Sequence, residues 1–258
     1  MKIDKNTPTP FYRQLTLILQ DKIVIGEWVP GMLLPTEFEL CDQYNVSRVT
    51  VRRALEDLAS KGLIDRVQGK GSLVKKVNDT NATSDHRGFS QTIRDQGYEP
   101  QANLLKEELV KGNAELVQLF ELPEDDEHYF WCFTRLRLFN DEPAAITRTY
   151  VQKKLGDRMR EFDLSKESFY SLYKNITKRN IVRNDGLIKA ISVSDYEAEL
   201  LQVKSGSAHL WYRGVAYVAG NVPIEVNYTI YHGEKFSFFK PETYSGEDDV
   251  VINSGSLS

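Results

Sequence analysis

The chain has 258 residues, 41% of them hydrophobic, which is enough to bury one or two cores. It contains no apolar run long enough to span a bilayer, and residues 1–6 are too polar and charged for a signal peptide. The two cysteines, Cys41 and Cys132, are too few for a disulfide framework or a zinc site. We therefore expect a soluble, cytoplasmic protein with no membrane partner, metal or cofactor.

The net charge of −4 hides an uneven distribution of charged residues. Residues 47–76 hold eight basic and three acidic side chains, whereas the chain beyond residue 77 carries more acidic than basic ones. Basic surface attracts nucleic acid and acidic surface repels it. The distribution predicts a nucleic-acid contact near the N-terminus and a different role for the rest.

Three helices are predicted in the first 62 residues. The first begins near Pro10 and ends by Gly26, with apolar residues at helical spacing between them. Thr36 and Glu39 have the spacing of a capping box, which starts the second helix. Ser47 is a good N-cap for the third helix, whose apolar residues recur on one face. We expect that face to pack on the helix before it.

The other side of the third helix is basic. Arg48 and Arg52 are four residues apart, so they are neighbours on the helix surface, and Arg53 follows them. In a major groove an arginine can bond both acceptors of a guanine edge. The hydroxyls of Ser47 and Thr50, together with the helix N-terminus, suit phosphate oxygens. The pattern predicts a DNA recognition helix.

Two short strands are predicted at 63–67 and 72–76, on either side of a glycine-rich loop. Glycines allow the backbone to approach nucleic acid closely, and Lys70 adds charge. The candidate DNA-contacting residues of this loop are Gln68, Gly69, Lys70 and Gly71. An ordinary small domain with a solvated basic face is the alternative. The helix pair, the arginines and the loop in this order favour a winged helix-turn-helix.

Two stretches of the N-terminal part follow a known motif. Leu34–Leu40 reads L-P-x-E-x-x-L and Val46–Leu55 reads V-S-R-x-T-V-R-x-A-L, with G-x-G after them. In these motifs the chain resembles the GntR family of bacterial transcription regulators. The resemblance implies that Arg48 and Arg52 read the major groove and that the glycine tip reaches the minor groove.

The same resemblance adds Thr36 and Glu37, in the first motif, to the candidate DNA contacts. One position departs from the family pattern. The family often has arginine directly after the glutamate of the first motif, and this chain has Phe38. We therefore expect its operator to differ from the usual one.

Residues 77–88 are polar, with almost no apolar side chains to bury, and are typical of a linker. We place the domain boundaries accordingly, with a DNA-binding head at 1–76 and a second domain, the body, at 89–258. A linker of this kind lets a head change its orientation relative to the body, as a regulator requires.

Beyond the linker, the pattern changes from short helices to longer strands. Strands are predicted at 128–139, 144–151, 181–193, 208–218 and 222–231, and helices at 113–120 and 194–203. Asn140-Asp141 and Gly220-Asn221 are typical of hairpin turns. The fold class is therefore α+β, with a mainly antiparallel sheet in the body.

Two of these strands place polar residues on one face. Arg135 and Arg137 alternate along one strand, and Glu225 and Tyr231 lie on one face of the last. Paired arginines suit a phosphate or carboxylate, and a carboxylate beside a phenol suits sugar hydroxyls. The alternative is that both faces are simply exposed to solvent, and the pattern alone favours it.

A second resemblance covers the body. Its motifs, in chain order, are Thr134-Arg135-Leu136-Arg137, Glu142-Pro143, Ser168-Phe169-Tyr170, Asp195-Tyr196-Glu197-Ala198 and Pro223-Ile224-Glu225. In these, the chain from about residue 89 is similar to the UTRA effector-binding domain of the HutC subfamily, which shares the fold of chorismate lyase. The implied effector-binding residues are Ser90, Arg135, Arg137, Ser168 and Tyr170 for an anionic group, and Glu225 and Tyr231 for a sugar.

A departure from the family pattern also occurs in the body. Where many relatives have glutamate ahead of Thr149-Tyr150, this chain has Thr147, so an amino sugar is not implied.

These patterns and resemblances predict a ligand-responsive transcription regulator and not an enzyme. We expect a repressor that binds an inverted-repeat operator as a homodimer and is released by a small anionic metabolite such as a sugar phosphate. A lyase-like enzyme and a ligand-independent DNA-binding protein are the alternatives. The four histidines lack metal-ligand spacing, and the chain has neither a Gly-x-Ser-x-Gly elbow nor a glycine-rich phosphate loop, which weakens the first.

Overall fold

The computed structural model describes residues 3–5, 7–67, 71–75, 100–124 and 126–236. The described part of the head contains α1 (Phe11–Val24), α2 (Glu37–Tyr44), α3 (Arg48–Ser60), β1 (Ile64–Val67) and β2 (Gly71–Val74). The described part of the body contains β3 (Pro100–Lys111), α4 (Ala114–Leu119), β4 (Tyr129–Phe139), β5 (Glu142–Gln152), α5 (Lys153–Met159), α6 (Phe169–Thr177), β6 (Ile181–Ser192), α7 (Asp195–Leu201), β7 (Ala208–Val218) and β8 (Val222–Tyr231). The expected linker at 77–88 lies outside the described residues.

The head is a winged helix-turn-helix, as predicted. The Thr36 hydroxyl accepts from the backbone N–H of Glu39 at 3.2 Å, and the Glu39 carboxylate accepts from the Thr36 N–H at 2.7 Å, which completes the capping box. Asn45 closes α2 at φ 50°, and the Ser47 hydroxyl caps α3 by accepting from the N–H of Thr50 at 3.2 Å. Strands β1 and β2 pair antiparallel as the wing.

The body contains a six-stranded sheet in the order β3-β4-β5-β8-β7-β6, in which every neighbouring pair is antiparallel. Both predicted hairpin turns are present. Asn140 and Asp141 join β4 to β5 at φ 47° and 68°, and Gly220 and Asn221 join β7 to β8 at φ 86° and 56°. Two consecutive residues with positive φ match the right-handed twist of the flanking strands.

Three elements were not predicted from the sequence. Strand β3 lies at the sheet edge with most of its side chains exposed, so it lacks the alternation of a half-buried strand. Helix α5 is only seven residues long and contains Gly156, so its sequence gives little helical signal. Helix α6, with the sequence FYSLYKNIT, is rich in aromatic and β-branched residues that favour strands. It is helical because its buried face, which includes Leu172 and Tyr173, packs against the rest of the core.

The head packs directly on the body. A single cluster of buried hydrophobic residues runs from Leu15 and Leu19 in α1 to Leu172 and Tyr173 in α6. The fully buried Tyr173 donates a hydrogen bond from its hydroxyl to the backbone carbonyl of Val24, at 3.1 Å. The two domains therefore share one core in this arrangement.

Charged residues of α5 reinforce this contact. Lys154 pairs with Asp21 in α1, and the guanidinium of Arg158 donates to the backbone carbonyl of Ile25. A second nitrogen of Arg158 donates to the carbonyl of Ile176 in α6 at 3.4 Å. A change of head orientation would have to break the bonds to Asp21 and Ile25 together. Separately, no helix in the described ranges is both long enough and apolar enough to cross a membrane.

Gly26 provides a test of the packing between head and body. Its φ is +78°, and a Cβ there would lie 2.7 Å from Cα of Thr177 and 2.8 Å from the carbonyl oxygen of Ile176. We expect Gly26→Ala to lower the free energy of unfolding in urea by more than the roughly 1–2 kcal/mol of left-handed backbone strain alone. Gly62→Ala is the matched control, because Gly62 has φ +67° and no atom within 4 Å of its Cβ position. Equal losses in the two variants would show that the contact does not hold the head.

Candidate functional site

The polar side of α3 is presented to solvent next to α2 and the wing. The side chain of Arg52 is 65% exposed, and its Nε lies 3.8 Å from Oε1 of Glu37. The same oxygen accepts from Arg66 of β1 at 2.7 Å. Glu37 therefore joins α2, α3 and the wing, and leaves the Arg52 guanidinium available on the surface.

The other candidates on α3 occupy its first two turns. The hydroxyls of Ser47 and Thr50 lie 2.9 Å apart at the helix N-terminus, and Arg48 is exposed beside them. The guanidinium of Arg53 is stacked 3.9 Å from the ring centroid of Tyr12 in α1, so it lies closer to α1 than to the Glu37 contact. Gly71 begins β2 at φ 96°. The remaining wing candidates, Gln68, Gly69 and Lys70, lie outside the described residues, as does Ser90 of the body.

The polar faces of β4 and β8 point into the protein. The exposed fractions are 6% for Arg135, 5% for Arg137, 3% for Glu225 and 9% for Tyr231. The alternative that these are solvent faces is therefore wrong. Buried charge is costly unless a partner compensates it, so these side chains remain candidates for contact with a ligand.

The sheet register brings the two faces together. Arg135 of β4 lies opposite Thr147 of β5, which lies opposite Thr229 of β8. Likewise, Arg137 of β4 lies opposite Ala145 of β5, which lies opposite Tyr231 of β8. The Thr229 hydroxyl donates to that of Thr147 at 3.2 Å, so the position that departs from the family pattern lies inside this row.

Arg135 is one of two buried arginines on this face of β4. One terminal nitrogen of its guanidinium donates to the carbonyls of Glu167 at 3.3 Å and Leu164 at 3.5 Å, and its Nε has no hydrogen-bond partner in the protein. Burial lowers the pKa of Arg135, and the nearby Glu225 opposes that shift. Both carbonyls belong to the loop that leads into α6.

Ser168 is the N-cap residue of α6, yet its side chain makes no capping hydrogen bond. The hydroxyl and the first-turn N–H groups of this nine-residue helix are donors that favour an anion. Because the carbonyl of Glu167, which precedes Ser168, accepts from Arg135, the guanidinium lies close to this helix N-terminus.

Glu225 lies in the same buried region. Burial raises the pKa of this carboxyl from 4.5 to about 8, although the charge of Arg135 and a hydrogen bond with Asn227 lower it. Its Oε2 has no hydrogen-bond partner in the protein. At neutral pH the carboxyl is protonated in most molecules, and it can then donate to one ligand oxygen and accept from a ligand hydroxyl.

Sequence reasoning missed a polar network next to these residues. Asn184 of β6 donates to the Tyr170 hydroxyl at 2.8 Å, and the Tyr212 hydroxyl donates to Asn184 at 3.1 Å. Burial raises the pKa of Tyr170 well above 10 and that of Tyr212 to about 12, so both phenols are neutral donors at pH 7. The network orients the Tyr170 side chain, which the motif had already singled out.

A signal for Tyr212 was present in the sequence. Gly186 and Gly214 face each other across β6 and β7, and a Cβ at Gly186 would lie 2.4 Å from the ring of Tyr212. Glycine inside a strand marks a close approach by another group. The two glycines therefore make room for this ring on the inner face of the sheet.

Across the described residues, no three His, Cys, Asp or Glu side chains are grouped so that they could hold a metal ion.

Comparisons with known proteins match both parts of the chain. Residues 11–74 match the gntR family of bacterial regulatory proteins, and residues 95–237 match the UTRA domain. The chain is 28% identical over 241 residues to the HTH-type transcriptional repressor NagR of Bacillus subtilis, covering 92% of this chain and 97% of that protein.

Other relatives are also repressors. The chain is 26% identical over 224 residues to the probable fructoselysine utilization operon transcriptional repressor of Escherichia coli, covering 87% of this chain and 91% of the relative. Among solved structures, PhnF from Mycobacterium smegmatis is 18% identical, with a TM-score of 0.54, and covers 91% of this chain and 99% of its own. This structural similarity supports the fold.

The protonated Glu225 predicts a pH dependence of stability. The unfolded chain releases this proton near pH 4.5, whereas the folded protein keeps it up to about pH 8, so ionisation increasingly favours unfolding between these values. We expect Glu225→Gln, which cannot ionise, to gain stability relative to the native protein by at most about 1.4 kcal/mol per pH unit across that window. Urea unfolding of both proteins at pH 5 and pH 8 measures this. Parallel pH profiles would show that Glu225 is ionised in the fold.

Proposed function

Because the chain belongs to the gntR family of bacterial regulatory proteins and carries a UTRA domain, we propose that it is a repressor that a small anionic metabolite releases from DNA. The observation that carries the effector part is the buried Arg135, whose Nε has no partner, next to the N-terminus of α6. An anion at that point would supply the missing acceptor and compensate the buried charge.

We assign DNA contact to the exposed surface of the head. Arg48 and Arg52 read base edges in the major groove, while Ser47, Thr50 and the N-terminus of α3 bind phosphates. The contacts assigned around them are Thr36, Glu37, Arg53, Gln68, Gly69, Lys70 and Gly71. The hydrogen bond and ion pair at Glu37 support this assignment, because they fix α2, α3 and the wing relative to one another.

The effector we propose combines an acidic group with hydroxyl groups, as a sugar phosphate does. Arg135, Arg137, Ser168 and Tyr170, with Ser90, would hold the acidic group, and Glu225 and Tyr231 the sugar. Two relatives of this chain are named for sugar conjugates, fructoselysine and mannosyl-D-glycerate, which supports the class. At Thr147 the site offers a hydroxyl and no second carboxylate, so a neutral sugar fits it better than an amino sugar.

A homodimer follows from the size of the head, since one winged helix contacts few base pairs and two copies are needed to read an inverted repeat. We assign the second copy to β6, one of the two edge strands of the sheet. Residues 185–190 of β6 are exposed on both faces, with Leu187 38% and Ile188 44% exposed. A long exposed edge strand is prone to unwanted pairing unless another chain covers it.

The segment from α5 to α6 connects the effector site with the head. The loop between these helices accepts hydrogen bonds from Arg135, while Lys154, Arg158 and Tyr173 on the helices bind the end of α1. An anion held by Arg135 would also accept from the first-turn N–H groups of α6, and this new contact would change the position of the segment. The head would then loosen from the body and lose the spacing that the operator requires.

The assignment of Arg52 has a direct test. If Arg52 reads a base, Arg52→Ala should weaken discrimination between operator variants by about 1–3 kcal/mol, measured by fluorescence anisotropy with labelled duplexes. Arg53→Ala is the matched control on the same helix. Its guanidinium lies on Tyr12, so its loss should leave the base preference unaltered even if affinity falls for all sequences alike. If Arg52→Ala discriminates between operator variants as well as the native protein does, Arg52 does not read a base.

The effector site is tested by titrating the DNA complex with a panel of sugar phosphates at fixed salt, since phosphate contacts make affinity salt-dependent. We expect one member to weaken binding of the native protein. Arg135→Ala should bind DNA normally but need roughly tenfold more of that compound, or more, because a hydrogen bond to a charged group is lost. Arg148→Ala is the control, because Arg148 occupies the opposite face of the neighbouring strand and is 38% exposed.

Three results would count against this proposal. A normal response of the Arg135 variant would place the effector elsewhere. A complex that no sugar phosphate alters would remove that class of ligand and leave a regulator of DNA. A lack of any sequence-specific binding would remove the DNA-binding function itself.

A further inference from the structure

The two most exposed large hydrophobic side chains among the described residues both lie in the helix-turn-helix. Val49 is 77% exposed and Phe38 is 65% exposed, and the next, Tyr196 in the body, is 57% exposed. A single exposed apolar residue is normal on a protein surface. Two such residues, at the starts of the two helices that carry Glu37, Arg48 and Arg52, require a reason.

Phe38 and Val49 occupy equivalent positions. Phe38 is the second residue of α2 and Val49 is the second residue of α3. Phe38 follows Glu37 in sequence, and Val49 precedes Arg52 by three residues, which makes them neighbours on the helix surface. Arg52 lies 3.8 Å from Glu37, so the first turns of α2 and α3, which carry the two apolar residues, are joined by this contact.

The surroundings of these side chains argue against a protein partner. Glu37 precedes Phe38 and Arg48 precedes Val49 in the chain, so each apolar residue follows a charged one and the apolar area is limited to two side chains. A standard protein interface buries roughly 800 Å² on each partner, far more than two side chains provide. DNA offers a partner of the right size, since the 5-methyl group of thymine is the apolar feature of the major-groove edge and contacts small apolar or aromatic side chains.

We propose that Val49 and Phe38 read thymine 5-methyl groups in the major groove of the operator. This rests on the DNA-binding function proposed above. Neither side chain can hydrogen-bond a base, so each contributes specificity only through contact with a methyl group, next to the hydrogen bonds of Arg48 and Arg52. The half-site should therefore combine guanines, which the arginines bind, with A·T pairs at the positions that face Phe38 and Val49.

The experiment begins with the full chain and a library of random duplexes, from which the bound sequences are selected. Each thymine of the selected half-site is then replaced by deoxyuridine, which removes only the methyl group. For the native protein we expect at least two positions where this replacement weakens binding by about fourfold, the value for burial of one methyl-sized group. Val49→Ala should lose this sensitivity at one position and Phe38→Ala at another.

Three controls accompany the scan. Both substitutions trim exposed side chains, so the variants should melt at the temperature of the native protein. Their affinity should keep its dependence on salt, because no phosphate contact is removed. Phe162→Ala, which removes a 45% exposed ring from the body, should give the same deoxyuridine scan as the native protein.

The possible failures are distinguishable. If the library yields no preferred sequence, the proposed DNA-binding function fails and the thymine contacts fail with it. If a sequence is selected but deoxyuridine has no effect on the native protein, the function stands and the thymine contacts are wrong. Equal sensitivity of Val49→Ala, Phe38→Ala and the native protein would also refute this assignment of the two residues.

Discussion

A buried cation whose hydrogen bonds are incomplete lies in the middle of the body. Arg135 keeps its guanidinium inside the protein with two backbone carbonyls as acceptors and none at Nε. The nearby Glu225 does not neutralise it, because burial raises the pKa of that carboxyl to about 8. The protein groups around Arg135 therefore compensate its positive charge only in part. Binding of an acidic ligand would recover part of the desolvation cost that folding has already incurred.

The same loop that accepts from Arg135 continues into the helices that hold the head. At the end of α1, the carbonyls of Val24 and Ile25 accept from Tyr173 and Arg158, and Asp21 pairs with Lys154. These contacts lie over a common hydrophobic cluster. A ligand can shift an orientation only by the difference between its affinities for the two arrangements. Here the difference would arise at the N-terminus of α6, because an anion held by Arg135 would also accept from the first-turn N–H groups of that helix.

The head meets the two requirements of DNA recognition, affinity and specificity, with different groups of side chains. Its basic side chains supply attraction to phosphates, while the helix-turn-helix presents both hydrogen-bonding and apolar groups to a groove. Glu37 has a structural part in this, because its carboxylate joins Arg66 of the wing and Arg52 of α3. In our proposal the acidic body contributes the ligand site and the contact between two copies.

The sequence alone determined the features that depend on residues close together in the chain. These are the caps at Thr36 and Ser47, the helices of the head, the strands from β4 to β8, and the alternation that places Arg135 and Arg137 on one face. The tertiary structure decided what the pattern left open or got wrong. Alternation shows which side chains share a face but not whether that face is covered, and the cover over Arg135 comes from a loop about 30 residues further along the chain. Likewise, α6 is helical and the head is docked because of contacts between distant segments, and local propensity carries no information about those contacts.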